Sequence, residues 1–164
     1  MLHFDKHFTA IVRNAGAPLL PLWRFLASRA VWIFIVTTIV LIIVDRSLFW
    51  VIAIPVVITQ VITVLLQEII RRDRPPLSVA SIVMWTRTPS FPSAHASTST
   101  AFAITISAAV LPYGDAGVIV AAAAFILAFS IAISRVMVGV HYLGDITVGV
   151  VLGAVIVAGV IGLG

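Results

Sequence analysis

The residues best suited to chemistry lie in three polar clusters of an otherwise apolar chain. In the third cluster His141 and Asp145 are four residues apart, so on a helix the carboxylate faces the imidazole and can hold it in one tautomer. In the second, His95 follows Ser93, a typical helix N-cap residue, and the free backbone N–H groups at a helix start favour an anion. An oriented imidazole is a candidate nucleophile, and a second histidine is a candidate acid.

Two arginines accompany these histidines: Arg74 in the first cluster and Arg135 in the third. Their planar guanidinium groups match the oxygens of a phosphate. Taken singly, each residue has a simpler interpretation, because a membrane-loop histidine is often hydrated and an arginine near a helix end often reaches to the interface. Together they predict phosphoryl transfer without a metal or another cofactor.

The three clusters resemble the signature of the type 2 phosphatidic acid phosphatase superfamily. The similar segments are Arg74-Pro75, Phe91-Pro-Ser-Ala-His95 and Ser134-Arg135-Val-Met-Val-Gly-Val-His141-Tyr-Leu-Gly-Asp145. The resemblance implies that His141 forms a phosphohistidine, that Asp145 orients it and that His95 protonates the leaving oxygen. It also implies which groups hold the phosphate: Arg74, Arg135, Ser93 and the backbone of Ala94.

The chain departs from the family pattern at two positions. Ala94 stands where the family often has Gly, and Gln67 stands where it usually has Lys, so a neutral donor replaces a phosphate-binding charge. If the helix continued, Arg71 would lie four residues after Gln67 and three before Arg74, on nearly the same face. We therefore predict that Arg71 joins Gln67 in phosphate binding, and that Arg71→Ala costs more activity than Arg72→Ala.

The composition predicts which elements position these residues. Hydrophobic residues make up 62% of the 164 residues and charged residues 10%, with a mean hydropathy of +1.21, whereas a soluble domain carries about 25% charged residues. The absence of Cys excludes thiolate chemistry. Since a bilayer core needs roughly 20 apolar residues of helix, we expect an all-α integral membrane protein with one domain, 1–164. It should be a bundle of five transmembrane helices, at about 26–44, 47–70, 94–111, 116–134 and 143–163.

The N-terminal segment differs from the spans. At helical spacing Phe4, Phe8 and Ile11 share one face and Lys6 and Arg13 lie away from it, which predicts an amphipathic helix in the interface at about 2–15. The charges in this segment disfavour a cleaved signal peptide.

The positive charges are unevenly divided between the two membrane sides. With five spans, the N-terminus and the loops at 71–95 and 135–145 share one side, which then carries nine of the ten Lys and Arg residues. The positive-inside rule places that side in the cytoplasm. The resemblance places the site on the outer face, so both orientations stay open.

The architecture narrows the expected substrate. A short five-span chain with an interfacial helix resembles the small bacterial undecaprenyl diphosphate phosphatases of the family, which implies a cell-membrane hydrolase acting on undecaprenyl diphosphate. Phosphatidylglycerol phosphate, phosphatidic acid and polyprenyl-linked sugar phosphates are alternatives, and a non-catalytic lipid-binding scaffold is the alternative from another class. The expected partners are the lipid substrate and the bilayer, without nucleic acid. Gly149-x-x-x-Gly153 favours packing within a monomer over a weak homodimer.

Overall fold

The fold of the chain is all-α. The computed structural model describes residues 2–44, 46, 48–76 and 88–162, apart from the side chains of residues 2–4, 31, 41, 42 and 44, and contains no strand in these ranges. The prediction of an all-helical fold is thereby confirmed. Its helices are α1 (Leu2–Gly16), α2 (Leu20–Val44), α3 (Leu48–Ile70), α4 (Ala94–Val110), α5 (Asp115–Met137) and α6 (Leu143–Gly162).

Among the described residues, four helices, α3 to α6, are long and apolar enough to cross a membrane. A fifth span is obtained when two helical pieces at 5–30 and 32–40, bent by 58° from each other, are taken as one. Large apolar side chains point outward along these helices, as Ile126 and Phe129 of α5 do with 68% and 69% exposure. Such surfaces are stable in lipid, so the prediction of a membrane fold with an N-terminal helix is confirmed.

Helix α4 lies at the centre of the bundle and packs against α3, α5 and α6. Its sequence is rich in Ala, Ser and Thr, which allow close approach of neighbouring helices. A Cβ added at Gly153 would lie 2.3 Å from the carbonyl oxygen of Ser97, and one at Gly149 would lie 2.8 Å from that of Ser93. These two glycines therefore pack α6 against α4 inside the bundle, as their spacing predicted.

Helix α1 lies across the end of the bundle where α5 stops and α6 begins. A Cβ at Gly16 would lie 2.2 Å from Sδ of Met137, and the indole N–H of Trp23 donates to the carbonyl of Gly16 at 3.0 Å. Val12 packs against the apolar cluster formed by α4, α5 and α6. The interfacial helix thus belongs to the body of the protein at its polar end.

The prediction that Arg71 shares a helical face with Gln67 and Arg74 is wrong. Helix α3 ends at Ile70, and Arg71 has a φ of +49°, so the chain leaves the helical path there. Pro75 contributes to this, because in a continued helix its ring would clash with the carbonyl of Arg71, and it also disfavours helical backbone at Arg74. Arg71 is exposed and its Nε donates to the carbonyl of Glu68 at 2.9 Å. The middle of the predicted 71–95 loop, residues 77–87, lies outside the described residues.

Candidate active site

The turn between α5 and α6 fixes the backbone of His141. Gly139 has a φ of +80°, a conformation that favours glycine. The N–H groups of Val140 and His141 both donate to the carbonyl of Arg135, at 3.0 Å and 3.3 Å. The His141 residue is 2% exposed. The end of α5 therefore fixes the backbone position of His141.

Asp145, in the first turn of α6, holds the imidazole of His141. Its Oδ2 lies 3.3 Å from His141 Nδ1 and accepts the backbone N–H of Tyr142 at 2.9 Å. A proton on Nδ1 facing the carboxylate leaves the lone pair on Nε2. Burial lowers the pKa of His141 from 6.5 to about 4, against the raising effect of its hydrogen bond to Asp145. The ring is therefore neutral at pH 7, as its predicted role of nucleophile requires.

Arg74 lies on the other side of the same ring. Its Nη1 is 3.3 Å from His141 Nε2 and donates to the carbonyl of Val140 at 2.9 Å, while its Nε donates to the carbonyl of Thr88 at 2.8 Å. Burial lowers the pKa of Arg74 below its ordinary value, and the charge of Asp145 opposes this. The guanidinium is thus held beside the atom that would attack a phosphate.

The start of α4 brings His95 to the same end of the bundle. Ser93 is the N-cap, and its hydroxyl accepts the N–H of Ala96 at 3.4 Å. The N–H of Ser93 donates to the carbonyl of Asp145 at 3.0 Å, which joins the starts of α4 and α6. His95 follows as the second residue of α4 and is half-buried.

Three of these side chains, those of Arg74, His95 and His141, line one cavity of about 370 Å³. Arg135 reaches it from α5, is 2% exposed, and donates from Nη1 to the carbonyl of Ala27 at 2.9 Å. Its Nε is buried without a hydrogen-bond partner among the described residues, a costly state that an anion would relieve. The residues lining the cavity are Phe34, Gln60, Gln67, Arg74, Thr88, Ala94, His95, Thr98, Arg135 and His141.

Most of the candidate residues therefore meet at this end of the bundle, whereas Arg71 does not join them. Gln67 lines the cavity, and its amide donates to the carbonyl of Pro92 at 2.8 Å. Arg71 lies outside it, on a neighbouring surface depression shared with Arg72 and Arg74. In the described part of the chain, no three His, Asp or Glu side chains come together as a metal site requires. The roles of these residues, and the absence of a cofactor, stay predictions.

Sequence reasoning missed Arg72. Its Nη1 donates to Asp145 Oδ1 at 2.6 Å and its Nη2 donates to Asp5 Oδ2 at 2.7 Å. The guanidinium also lies 4.4 Å from the centre of the Tyr142 ring. The motif spacing gave no signal for this residue, because its partners are 67 and 73 positions away.

Comparisons with known proteins identify a family and several relatives. Residues 46–163 match the PAP2 superfamily. Decaprenylphosphoryl-5-phosphoribose phosphatases from two strains of Mycobacterium tuberculosis are 36% identical over 101 residues, which is 60% of this chain and 51% of the relative. The chain thus spans about half the length of the curated relatives it matches.

Two solved structures share the fold. The crystal structure of Aquifex aeolicus LpxE has a TM-score of 0.72 at 21% identity and covers 92% of this chain and 90% of its own. A PAP2 type phosphatidylglycerolphosphate phosphatase from Bacillus subtilis has a TM-score of 0.62 at 18% identity, over 92% of this chain and 83% of its own. At these identities the comparison concerns the fold alone.

Proposed function

The chain belongs to the PAP2 superfamily, and we propose that it is a membrane lipid phosphatase that uses His141 as its nucleophile. The observation that carries this proposal is the pair of contacts on the His141 ring. Asp145 lies 3.3 Å from Nδ1 and Arg74 lies 3.3 Å from Nε2, beside a cavity that also holds His95 and Arg135. In this proposal the nucleophile, its orienting carboxylate and the phosphate-binding cations lie close together before a substrate arrives, and the phosphate takes the place of Nε2 as the partner of Arg74.

The first half of the proposed reaction transfers the phosphoryl group to the protein. Nε2 of His141 attacks phosphorus and forms a P–N bond, while the bond between phosphorus and the lipid oxygen breaks. His95 gives its proton to that leaving oxygen. The His141 ring becomes positively charged, and the carboxylate of Asp145 stabilises it.

The second half returns the protein to its starting state. A water molecule gives a proton to His95 and attacks phosphorus, the P–N bond breaks, and phosphate leaves. Arg74, Arg135, the hydroxyl of Ser93 and the backbone N–H of Ala94 would hold the non-bridging oxygens, with Gln67 as a neutral donor in place of the usual lysine. No step requires a metal.

A polyprenyl-linked sugar phosphate is the substrate best supported by the comparisons. The relatives at 36% identity are named as phosphatases of decaprenylphosphoryl-5-phosphoribose, a sugar phosphate on a polyprenyl carrier. The five-span architecture with an interfacial helix favours undecaprenyl diphosphate as the second candidate. Both substrates carry a terminal phosphate and a long prenyl tail, which suits a polar cavity at the end of an apolar bundle.

A substrate panel in detergent, with a chelator present, tests the proposal. We expect phosphate release from a polyprenyl phosphosugar 5-phosphate to exceed release from prenyl diphosphate, phosphatidylglycerol phosphate and phosphatidic acid, and His141→Ala to abolish it. Release from none of these lipids, or equal release by the variant, would favour the non-catalytic scaffold. Loss of activity with the chelator would contradict a metal-independent reaction.

Membrane sidedness is part of the proposal. We place the protein in the cell membrane, with the cavity on the side that carries nine of the ten Lys and Arg residues. The positive-inside rule then favours the cytoplasmic face, and the family resemblance favours the outer face. Reporter fusions at the C-terminus and in the 112–115 turn distinguish the two orientations.

A further inference from the structure

Helix α1 reaches into the polar end of the bundle through Asp5 and Thr9. Asp5 Oδ1 accepts the N–H of Gly144 at 2.9 Å, and Thr9 Oγ1 accepts the N–H of Leu143 at 2.9 Å. Both donors belong to the first turn of α6, the turn that carries Asp145. A Cβ at Gly144 would lie 2.8 Å from Asp5 Oδ2, so α1 is seated closely against this turn.

Asp5 makes a second contact that Thr9 does not make. Its Oδ2 accepts from Nη2 of Arg72 at 2.7 Å, and the other end of the same guanidinium donates to Asp145 Oδ1 at 2.6 Å. The side chains of Arg72 and Asp5 are only 16% and 15% exposed, and that of Asp145 is fully buried. A continuous chain of hydrogen bonds therefore runs from α1 through Arg72 and Asp145 to His141.

We propose that Asp5 is a positioning residue for the nucleophile, acting through Arg72 on the carboxylate that orients His141. The inference rests on the proposed phosphohistidine mechanism, and it gives the interfacial helix a part in the reaction. Among the described residues, the carboxylate of Asp5 bonds Arg72 and Gly144, and Asp5 does not line the cavity.

The physical reason is charge compensation at low solvent exposure. When His141 attacks phosphorus its ring becomes positive, and the negative charge of Asp145 stabilises it. An arginine bonded to Asp145 alone would offset much of that charge, because buried charges are weakly screened. Asp5 binds the other end of Arg72 and balances it, so that Arg72 fixes the direction of the Asp145 carboxylate without cancelling its effect.

Two variants of α1 separate this role from simple docking of the helix. Asp5→Asn keeps the size and the acceptor for Gly144 but removes the charge, whereas Thr9→Val removes the neighbouring bond to Leu143 and leaves the charge. For Asp5→Asn we expect kcat to fall about tenfold, with KM within about twofold of wild type. For Thr9→Val we expect both constants to stay within about twofold. Equal losses in the two variants, or a change in KM alone, would overturn the proposal.

Combining Asp5→Asn with Arg72→Gln tests whether Asp5 acts through Arg72. We expect the double variant to be no slower than Arg72→Gln alone, because the charge that Asp5 balances is gone. Losses that multiply would overturn the proposal. Asp5→Glu keeps the charge and should retain most of the wild-type kcat. That result would attribute the loss in Asp5→Asn to the missing charge and not to a folding defect. If wild type releases phosphate and His141→Ala does not, an unchanged Asp5→Asn refutes this inference and leaves the proposed function standing.

Discussion

The two histidines of the cavity are held very differently. The ring of His141 has a partner at each nitrogen, Asp145 and Arg74, and the residue is 2% exposed. The ring of His95 is half-buried and makes no hydrogen bond to any other residue that the structure describes. The difference matches the proposed roles, because a nucleophile must present one lone pair in one direction. A general acid and base must first face the leaving oxygen and then a water molecule.

Removing the carboxylate that orients His141 should cause the largest loss of activity. We expect Asp145→Asn to lower kcat by about 10³-fold or more, since the amide no longer selects the Nδ1–H tautomer or stabilises the positive ring. The measurement is phosphate release from the best lipid of the panel. Asp73→Asn, which removes an exposed carboxylate of the neighbouring loop, is the matched control and should stay within about twofold. A loss in Asp145→Asn as small as that in Asp73→Asn would mean that His141 needs no orienting group.

The effect of removing His95 on the rate should depend on the leaving group of the substrate. We expect His95→Ala to lower the rate on the lipid substrate by about 10²-fold. With a nitrophenyl phosphate, whose leaving group needs no proton, the first turnover should stay fast and later ones become slow, giving a burst of nitrophenol. A loss without a burst would contradict the role of His95 as the acid of the first step.

Arg71 and Arg72 are adjacent in the chain, but only Arg72 bonds the carboxylate that orients His141. We expect Arg72→Ala to lower kcat about tenfold and the free energy of unfolding by about 3 kcal/mol, because it leaves the buried carboxylate of Asp145 without its cation. Arg71→Ala should change activity less than about twofold, since Arg71 is exposed and bonds only a carbonyl of its own chain segment. Phosphate release and thermal unfolding of the two variants measure this order. A larger loss of activity in Arg71→Ala than in Arg72→Ala would instead favour the prediction from helical spacing, in which Arg71 binds phosphate.

The smallest effect concerns pH. Because the pKa of His141 in the folded protein is about 4, the ring stays neutral as the pH falls from 7 to 5, and the nucleophile is lost only as the pH falls through about 4. For the same reason, its contribution to folding stability is complete above pH 6.5 and declines between 6.5 and 4. Nitrogen NMR of labelled histidine, assigned with His141→Ala, measures the titration. A midpoint near 6.5 would contradict the buried, neutral ring.

The sequence carried the part of the site that depends on local spacing. His141 and Asp145 are four residues apart, and Ser93 caps the helix that carries His95, so helical geometry alone predicts these relations. Pro75 also indicates that α3 cannot continue through Arg74, so the sequence itself contains a signal against a shared helical face for Arg71 and Arg74.

The contacts of Arg72 had no such local signal. Its partners Asp5 and Asp145 come from the first and last helices and are brought together only by the packing of α1 across the bundle end. Amphipathic spacing predicts that α1 is a helix in the interface, but it does not indicate which turn of α6 this helix contacts. Long-range ion pairs of this kind follow from the assembled fold.

Trapping the phosphorylated protein tests the central claim most directly. In His95→Ala, incubation with a labelled nitrophenyl phosphate should leave an acid-labile, base-stable phosphoryl group on the peptide that contains His141, and the further change His141→Ala should remove it. Label on another peptide, or steady turnover with no labelled protein at any time, would contradict a phosphohistidine at His141.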